Sequence, residues 1–280
     1  MKTIRTVKEM QAASAAVKRT GRRVALVPTM GALHQGHMAL VRAARDQGAA
    51  VVVSVYVNPT QFGAGEDFKR YPRNLDADCQ ACEREGVTSV FAPSDEEMYP
   101  DGNTATWVEE TRLAAQFEGE KRPGHFRGVC TVVAKLFNIV QPDVATFGQK
   151  DFQQLKVVQR MVRDLRYPIE IIPVPTVREP DGLAMSSRNQ LLSAGERAQA
   201  SVLWKALQVV GDLFNEGEHN ARRLEAAMQR TVSLAPSARL DYAHVVDAES
   251  LKTVPQVQRG CVALIAAHIG KVRLIDNLVL

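Results

Sequence analysis

RRVALVPTMGALHQGHMALVRAAR, residues Arg22 to Arg45, is the stretch on which the fold turns. Val24 to Val27 is short and almost wholly apolar, the pattern of a strand buried on both faces of a parallel sheet, and Pro28 is expected to end it. Met30-Gly31-Ala32-Leu33 then reads as a turn. After Gly36 a helical pattern sets Met38, Val41 and Arg45 on one side, with Leu40 and Ala44 flanking them. His34 and His37 therefore fall at a helix N-terminus. The first backbone N–H groups of a helix have no intrahelical partner, and together with the dipole they favour anions such as phosphate. The same potential disfavours protonation, so both imidazoles are expected to be neutral hydrogen-bond donors unless a bound phosphate reverses the balance.

Outward from this stretch the pattern repeats. AAVVVSVYV, Ala49 to Val57, is rich in β-branched residues and reads as a second buried strand. A right-handed crossover makes the two strands parallel and brings Met30 and Asn58 to Gln61 to one carboxyl edge. Asn58 to Arg73 reads as a loop over that edge. A helix from Asn74 to Glu85 and strands at Ser89 to Ala92 and Thr104 to Glu109 follow. An apolar helix from Val129 to Val140, a strand from Asp143 to Phe147, a helix from Asp151 to Leu165 and a strand from Ile169 to Val174 continue the alternation. On the N-terminal side, a strand-like Lys2 to Val7 leads into a helix from Val7 to Arg19.

Past Thr176 the texture changes. Two helices, Ala194 to Asn215 and Ala221 to Ser233, and three strand-like runs, Asp241 to Val246, Val262 to Ala267 and Val272 to Ile275, suit a small antiparallel sheet packed on helices. The expected architecture is α/β: a doubly wound, Rossmann-like parallel sheet over residues 1–176, then a smaller α+β domain over residues 177–280.

The 280 residues are 45% hydrophobic and 24% charged, with a formal net charge of +4 spread along the chain. That is ample for a buried core, and without a basic arm it gives no reason to expect nucleic acid as a partner. No apolar run has the length of a membrane span, and the first 23 residues lack the apolar core of a signal peptide, so a cytoplasmic protein is expected. Cys79, Cys82, Cys130 and Cys261 form no disulfide framework, and Cys79-x-x-Cys82 has neither a second pair nor a nearby His; packed thiols are the simpler reading.

Neither G-x-x-x-x-G-K-[ST] nor G-x-G-x-x-G opening a helix occurs, which removes P-loop kinases and dinucleotide dehydrogenases. The route to phosphate that remains is the helix start with His34 and His37, supplemented by cations from elsewhere. Lys150, in the turn Gly148-Gln149-Lys150-Asp151, and Arg188, in Ser186-Ser187-Arg188-Asn189, are the candidates.

PTMGALHQGH, NPTQFG, FGQKDFQQL and EPDGLAMSSRN, in that order, together resemble the pantoate–β-alanine ligase family of the HIGH-type nucleotidylyltransferase superfamily. The likeness runs from Pro28 to Asn189, and AHVVD with IGKVRLIDN extends it to the C-terminus. It implies an ATP- and Mg²⁺-dependent condensation of pantoate with β-alanine in a cytosolic homodimer. Pantoate's carboxylate would attack the α-phosphorus of ATP, and the amine of β-alanine would then displace AMP from the pantoyl adenylate. No Ser-His-Asp or Cys-His pattern is evident, in keeping with chemistry that needs no protein nucleophile.

Carried over position by position, the resemblance sets His34 and His37 on the ATP phosphates, with His37 the proton donor, and Met30 and Gly31 along the nucleotide pocket. Gly148, Gln149, Lys150 and Asp151 would hold ribose and phosphates. Val177 would touch adenine, and Met185, Ser186, Ser187 and Arg188 would form a mobile phosphate-binding loop at the start of a lid. Gln61 and Gln154 would bind pantoate, with Gln61 also near β-alanine, and Asp78 would lie near magnesium. Gln154 is preferred over Gln153 on the resemblance alone; on spacing alone both are ordinary solvated helix glutamines. Arg122 and His125, in KRPGHFRG, suit closure over substrate or a structural loop equally. His219, His244 and His268 are given no role. A plain adenylyltransferase and a nucleotide-binding protein without turnover are the rival readings; the neutral amides of NPTQFG and DFQQL favour a hydroxy acid over a phosphorylated substrate.

Overall fold

A computed structural model describes residues 1–63, 65–102 and 105–280. The chain divides into two compact units: Met1–Gln149 with Gln153–Pro175, and Lys150–Phe152 with Thr176–Leu280.

In the first unit strands and helices alternate: β1 (Lys2–Ile4), α1 (Val7–Arg19), β2 (Val24–Thr29), α2 (Gln35–Arg45), β3 (Ala50–Val55), α3 (Leu75–Arg84), β4 (Ser89–Phe91) and α4 (Asp95–Met98). α5 (Glu118–Lys121), α6 (His125–Val140), β5 (Val144–Gly148), α7 (Phe152–Asp164) and β6 (Glu170–Val174) follow. The six strands form one sheet in the order β1-β4-β3-β2-β5-β6, every pair parallel. Alternation across the pleat sends Ala25, Val27, Val51 and Val53 into one apolar cluster with Met38, Val41, Ala44 and Cys82 of the covering helices α2 and α3. α1 and α6 also lie against β2.

From β2 the chain proceeds through α2 to β3 on one side, whereas β5 lies on the other. The carboxyl ends of β2 and β5 therefore flank a topological switch point, the crevice where doubly wound sheets bind ligands. β2 continues through Pro28, contrary to expectation. Even-numbered residues of β2 face β5, as the Asp143 N–H donating to the Val24 carbonyl shows, and the β2–β5 ladder ends at Leu26. The missing N–H of Pro28 thus faces a side where no ladder bond is made, while the odd residues keep pairing with β3.

The other expected strand, Thr104 to Glu109, is not one: residues 107–110 lack regular structure, and the Val108 N–H donates to the Thr131 hydroxyl rather than to a strand (3.1 Å). Thr104 lies outside the described residues.

The second unit contains α8 (Ala194–Ala200), α9 (Val202–Asn215), α10 (Ala221–Ser233) and the antiparallel sheet β7-β8-β9, formed by β7 (Ala238–Asp247), β8 (Cys261–Ile269) and β9 (Val272–Val279). Its core joins Leu203, Leu207 and Val210 of α9 and Leu224 and Met228 of α10 to Val245, Ala263 and Ile265. The helix expected from Ala194 to Asn215 is two helices divided at Ser201. Among the described residues no helix is long and apolar enough to cross a membrane.

Candidate active site

The turn after β2 is built to present backbone N–H groups. Gly31 has a φ of +80°, and a Cβ there would meet Asp78 Oδ2 at 2.8 Å and Val55 Cγ1 at 3.0 Å, so only glycine fits. Thr29 Oγ1 donates to the Ser54 carbonyl (2.6 Å) and accepts from the Gly31 N–H (3.1 Å). Beneath the turn Asp78, only 4% exposed, accepts from the N–H of Ala32 (3.0 Å) and of Leu33 (2.8 Å), one on each oxygen. Burial raises its pKa, and those two backbone hydrogen bonds oppose the rise. The structure thus makes Asp78 the floor of the turn. Each oxygen serves one backbone amide.

His34 is the N-cap of α2 and His37 its third residue. The Gly36 N–H donates to His34 Nδ1 (3.1 Å), and the His34 N–H donates to His37 Nδ1 (3.2 Å), a capping box written with two imidazoles. An Nδ1 that accepts from the backbone cannot carry a proton. Both rings are therefore Nε2–H tautomers, with centroids 4.1 Å apart. Each is half-buried. Capping thus does two things at once: it satisfies orphan N–H groups of the helix and fixes which ring nitrogen donates.

Gln61 ends a short 3₁₀ turn, Pro59–Gln61, and is 8% exposed. Its Nε2 lies 3.0 Å from Met30 Sδ, and its Oε1 accepts from Asn58 Nδ2 (3.1 Å). Asn58, itself 1% exposed, also donates to the Gly128 carbonyl (3.2 Å) and accepts from the Tyr99 hydroxyl (2.8 Å). Gly128 allows this close approach, since a Cβ there would run into the Thr60 carbonyl. From the other side His125 Nδ1 lies 2.8 Å from the Gln61 carbonyl, and Arg122 Nη1 lies 3.0 Å from His125 Nε2. A guanidinium can only donate, so Nε2 accepts and Nδ1–H donates to Gln61. Arg122 is held in turn by a bidentate pair with Glu66 (2.8 and 2.7 Å). The two residues of KRPGHFRG left open by the sequence are thus a brace for the Gln61 backbone.

On α7 the two glutamines divide their work. Gln153 is buried and accepts from the Glu118 N–H (3.0 Å) while donating to the carbonyls of Leu113 (2.8 Å) and Gln116 (2.7 Å). Gln154 is half-buried. Gln153 is therefore not the solvated side chain that its spacing suggests.

In the second unit Lys150 Nζ lies 3.3 Å from Asp151 Oδ1. Val177 opens a hairpin closed by an Arg178–Ala184 bridge, and its carbonyl accepts from the Met185 N–H (2.9 Å). Ser186 Oγ accepts from the Arg188 N–H (3.3 Å), and Ser187, 5% exposed, begins a 3₁₀ helix to Leu191. Cys82 and Cys130 are buried thiols with pKa values pushed up to about 12 by burial, and all four cysteines are free.

Sequence reasoning missed Asn58 and Tyr99 as supports of Gln61. Asn58 lay within NPTQFG, but Tyr99 is 41 residues away from it and no local pattern pairs them.

A doubly wound parallel sheet whose switch-point helix is capped by two Nε2–H imidazoles is the architecture of a nucleotide-binding α/β protein. Comparison makes the assignment specific. The family model described as pantoate-beta-alanine ligase matches residues 2–279. A pantothenate synthetase of Thermotoga petrophila is 50% identical over 280 residues, 100% of both chains, and one of Rubrobacter xylanophilus is 52% identical, covering 98% of this chain and 97% of its own. The crystal structure of pantothenate synthetase from Thermus thermophilus superposes with a TM-score of 0.94 at 48% identity, covering 99% of each chain. The pantoate-beta-alanine ligase of Francisella tularensis, complexed with beta-gamma ATP and beta-alanine, gives 0.82 at 33% identity, covering 100% of this chain and 97% of that one. The chain belongs to the pantoate–β-alanine ligase family.

Proposed function

We propose that the chain condenses pantoate with β-alanine in two steps on ATP. In the first, a pantoate carboxylate oxygen attacks the α-phosphorus, the bond to the β-phosphate oxygen breaks and pyrophosphate leaves. In the second, the β-alanine amine attacks the acyl carbon of pantoyl adenylate, loses a proton and expels AMP. The observation that carries this reading is the imidazole capping box: two preorganised Nε2–H donors on the N-terminus of a switch-point helix suit charge developing on phosphate.

His37, with His34 beside it, acts as donor to the phosphates; Lys150 and Arg188 supply cations to the same groups. Met30 and Gly31 line the nucleotide pocket, Gly148, Gln149 and Asp151 hold the ribose side, Val177 meets adenine, and Met185, Ser186 and Ser187 carry Arg188. Gln61 and Gln154 bind pantoate, and Gln61 also lies near β-alanine. The double bracing of Gln61, by Asn58 on its amide and His125 on its carbonyl, supports a specificity role, since a fixed amide discriminates hydroxy acids by hydrogen bonding. Magnesium enters with the nucleotide as MgATP, the usual way this ion meets phosphates, with Asp78 as the carboxylate near it. The working form is a cytoplasmic homodimer, on the strength of the family likeness.

Product analysis tests the reading. AMP and pyrophosphate are measured with ATP, Mg²⁺, pantoate and β-alanine, omitting each in turn. AMP should appear only with both organic substrates. ATP consumption that is indifferent to pantoate would move the chain to another acceptor, and an adenylylated end product would make it a plain adenylyltransferase.

A further inference from the structure

RLIDN, Arg273 to Asn277, is a motif that the proposed chemistry leaves without a part. It lies on β9, and its last two side chains are both buried, Asp276 at 4% and Asn277 at 7% exposure, although neighbours on a strand point to opposite faces. Asp276 takes a bidentate pair from Arg178 (Nη1 at 2.6 Å, Nη2 at 3.0 Å). Arg178 also donates to the Gly182 carbonyl (3.1 Å), and its guanidinium carbon stands 3.6 Å from the centre of the Trp204 ring. Gly182, at a φ of +90°, lacks the Cβ that would strike Trp204. The base and the tip of the 178–184 hairpin are thus clamped, and the segment Met185 to Arg188 leaves directly from it. The next residue of β9 reaches a different target: Asn277 Nδ2 donates to the carbonyl of Lys150 (2.9 Å), and the Asn277 N–H donates back to Asp276 Oδ1 (2.8 Å).

A buried ion pair is a poor device for stability alone, because well-packed apolar residues do as well. Directed hydrogen bonds do something apolar packing cannot: they fix backbone position. We propose that Arg178, Asp276 and Asn277 form one anchor that sets the Lys150 backbone and the hairpin leading to Arg188 in fixed relation, making all three positioning residues for the two phosphate-binding cations. This rests on the roles given to Lys150 and Arg188 above. The anchor touches no substrate; it acts by holding the origins of two flexible side chains whose heads must reach one polyphosphate.

A double-mutant cycle read by pantoate-dependent ATP–pyrophosphate exchange tests it. Asn277→Ala should lower the exchange kcat about 10-fold, the scale of a sub-ångström to ångström misplacement, with the pantoate KM unchanged within about 2-fold. On a Lys150→Ala background the same change should cost less than about 2-fold, because the residue it positions is gone. Arg178→Lys, which keeps charge but not the bidentate fork, should behave alike against Arg188→Ala. Asn277→Leu, close in volume and without a donor, repeats the first cycle should alanine unfold the chain, and thermal melting reports folding in each case. Additive losses, or Asn277 variants with wild-type exchange, would overturn the anchor while leaving the ligase reading intact. Absence of exchange in the wild-type chain would overturn both.

Discussion

His125 shows how a residue can be decided by partners that no local pattern announces. It is 8% exposed, with Arg122 on one ring nitrogen and the Gln61 carbonyl on the other, and its pKa is pushed down to about 4. Burial is the main cause and the Arg122 charge the second; the bond to Gln61 and the carboxylates of Glu66 and Glu118 oppose them. In the unfolded chain the ring titrates near its ordinary 6.5. Between these values the unfolded state binds the proton and the folded state does not, so stability rises with pH across the window. The contribution is complete above pH ~6.5 and is lost as pH falls towards ~4, amounting to about 3 kcal/mol. His125→Asn keeps a donor for the Gln61 carbonyl but cannot titrate. Urea unfolding from pH 4 to 7.5 should therefore show a flatter slope for this variant than for the wild type; parallel curves would place the proton elsewhere. At this scale the H-x-G-H spacing made His34 and His37 legible, but not their tautomers. Those follow from which backbone N–H groups the rings accept.

The turn between β2 and α2 is the element that joins fold to site. Its shape depends on Gly31 at positive φ, the Thr29 hydroxyl and the Asp78 carboxylate, and residues brought from α3 cannot be inferred from the turn itself. Hence the part that Asp78 plays in this turn was not legible: its carboxylate receives two backbone N–H groups from a segment distant in sequence. Gly31→Ala should destabilise the protein by about 1–3 kcal/mol through left-handed strain and the clash with Asp78, visible as a lower denaturation midpoint. Gly128→Ala should do at least as much, because the obstructing Thr60 carbonyl is backbone and cannot rotate away. A neutral result at Gly128 would mean that α6 and the Pro59–Gln61 turn separate easily. Elsewhere, apolar runs located strands and helices well, while Pro28 and the Thr104 to Glu109 run misled. Pro28 faces a side without a ladder, and residues 107–110 pair with no strand among the described residues.

At the scale of the whole molecule, β/α alternation followed by segregated helices and strands made the doubly wound sheet and the small antiparallel sheet readable, since periodicity and crossover handedness leave few alternatives. The order β1-β4-β3-β2-β5-β6 was not readable, because nothing local tells β5 to choose the free side of β2. That choice creates the switch point, beside which the imidazole pair stands. The pair is proposed to serve adenylate formation and not amide formation. Single-turnover measurement of both half-reactions in His37→Ala separates the two. Pantoyl adenylate formation from MgATP and pantoate should slow by about 10²–10⁴-fold, the range for losing a preorganised donor, while β-alanine capture of supplied adenylate changes by less than about 3-fold. Near-normal adenylate formation, or equal slowing of both steps, would contradict the claim.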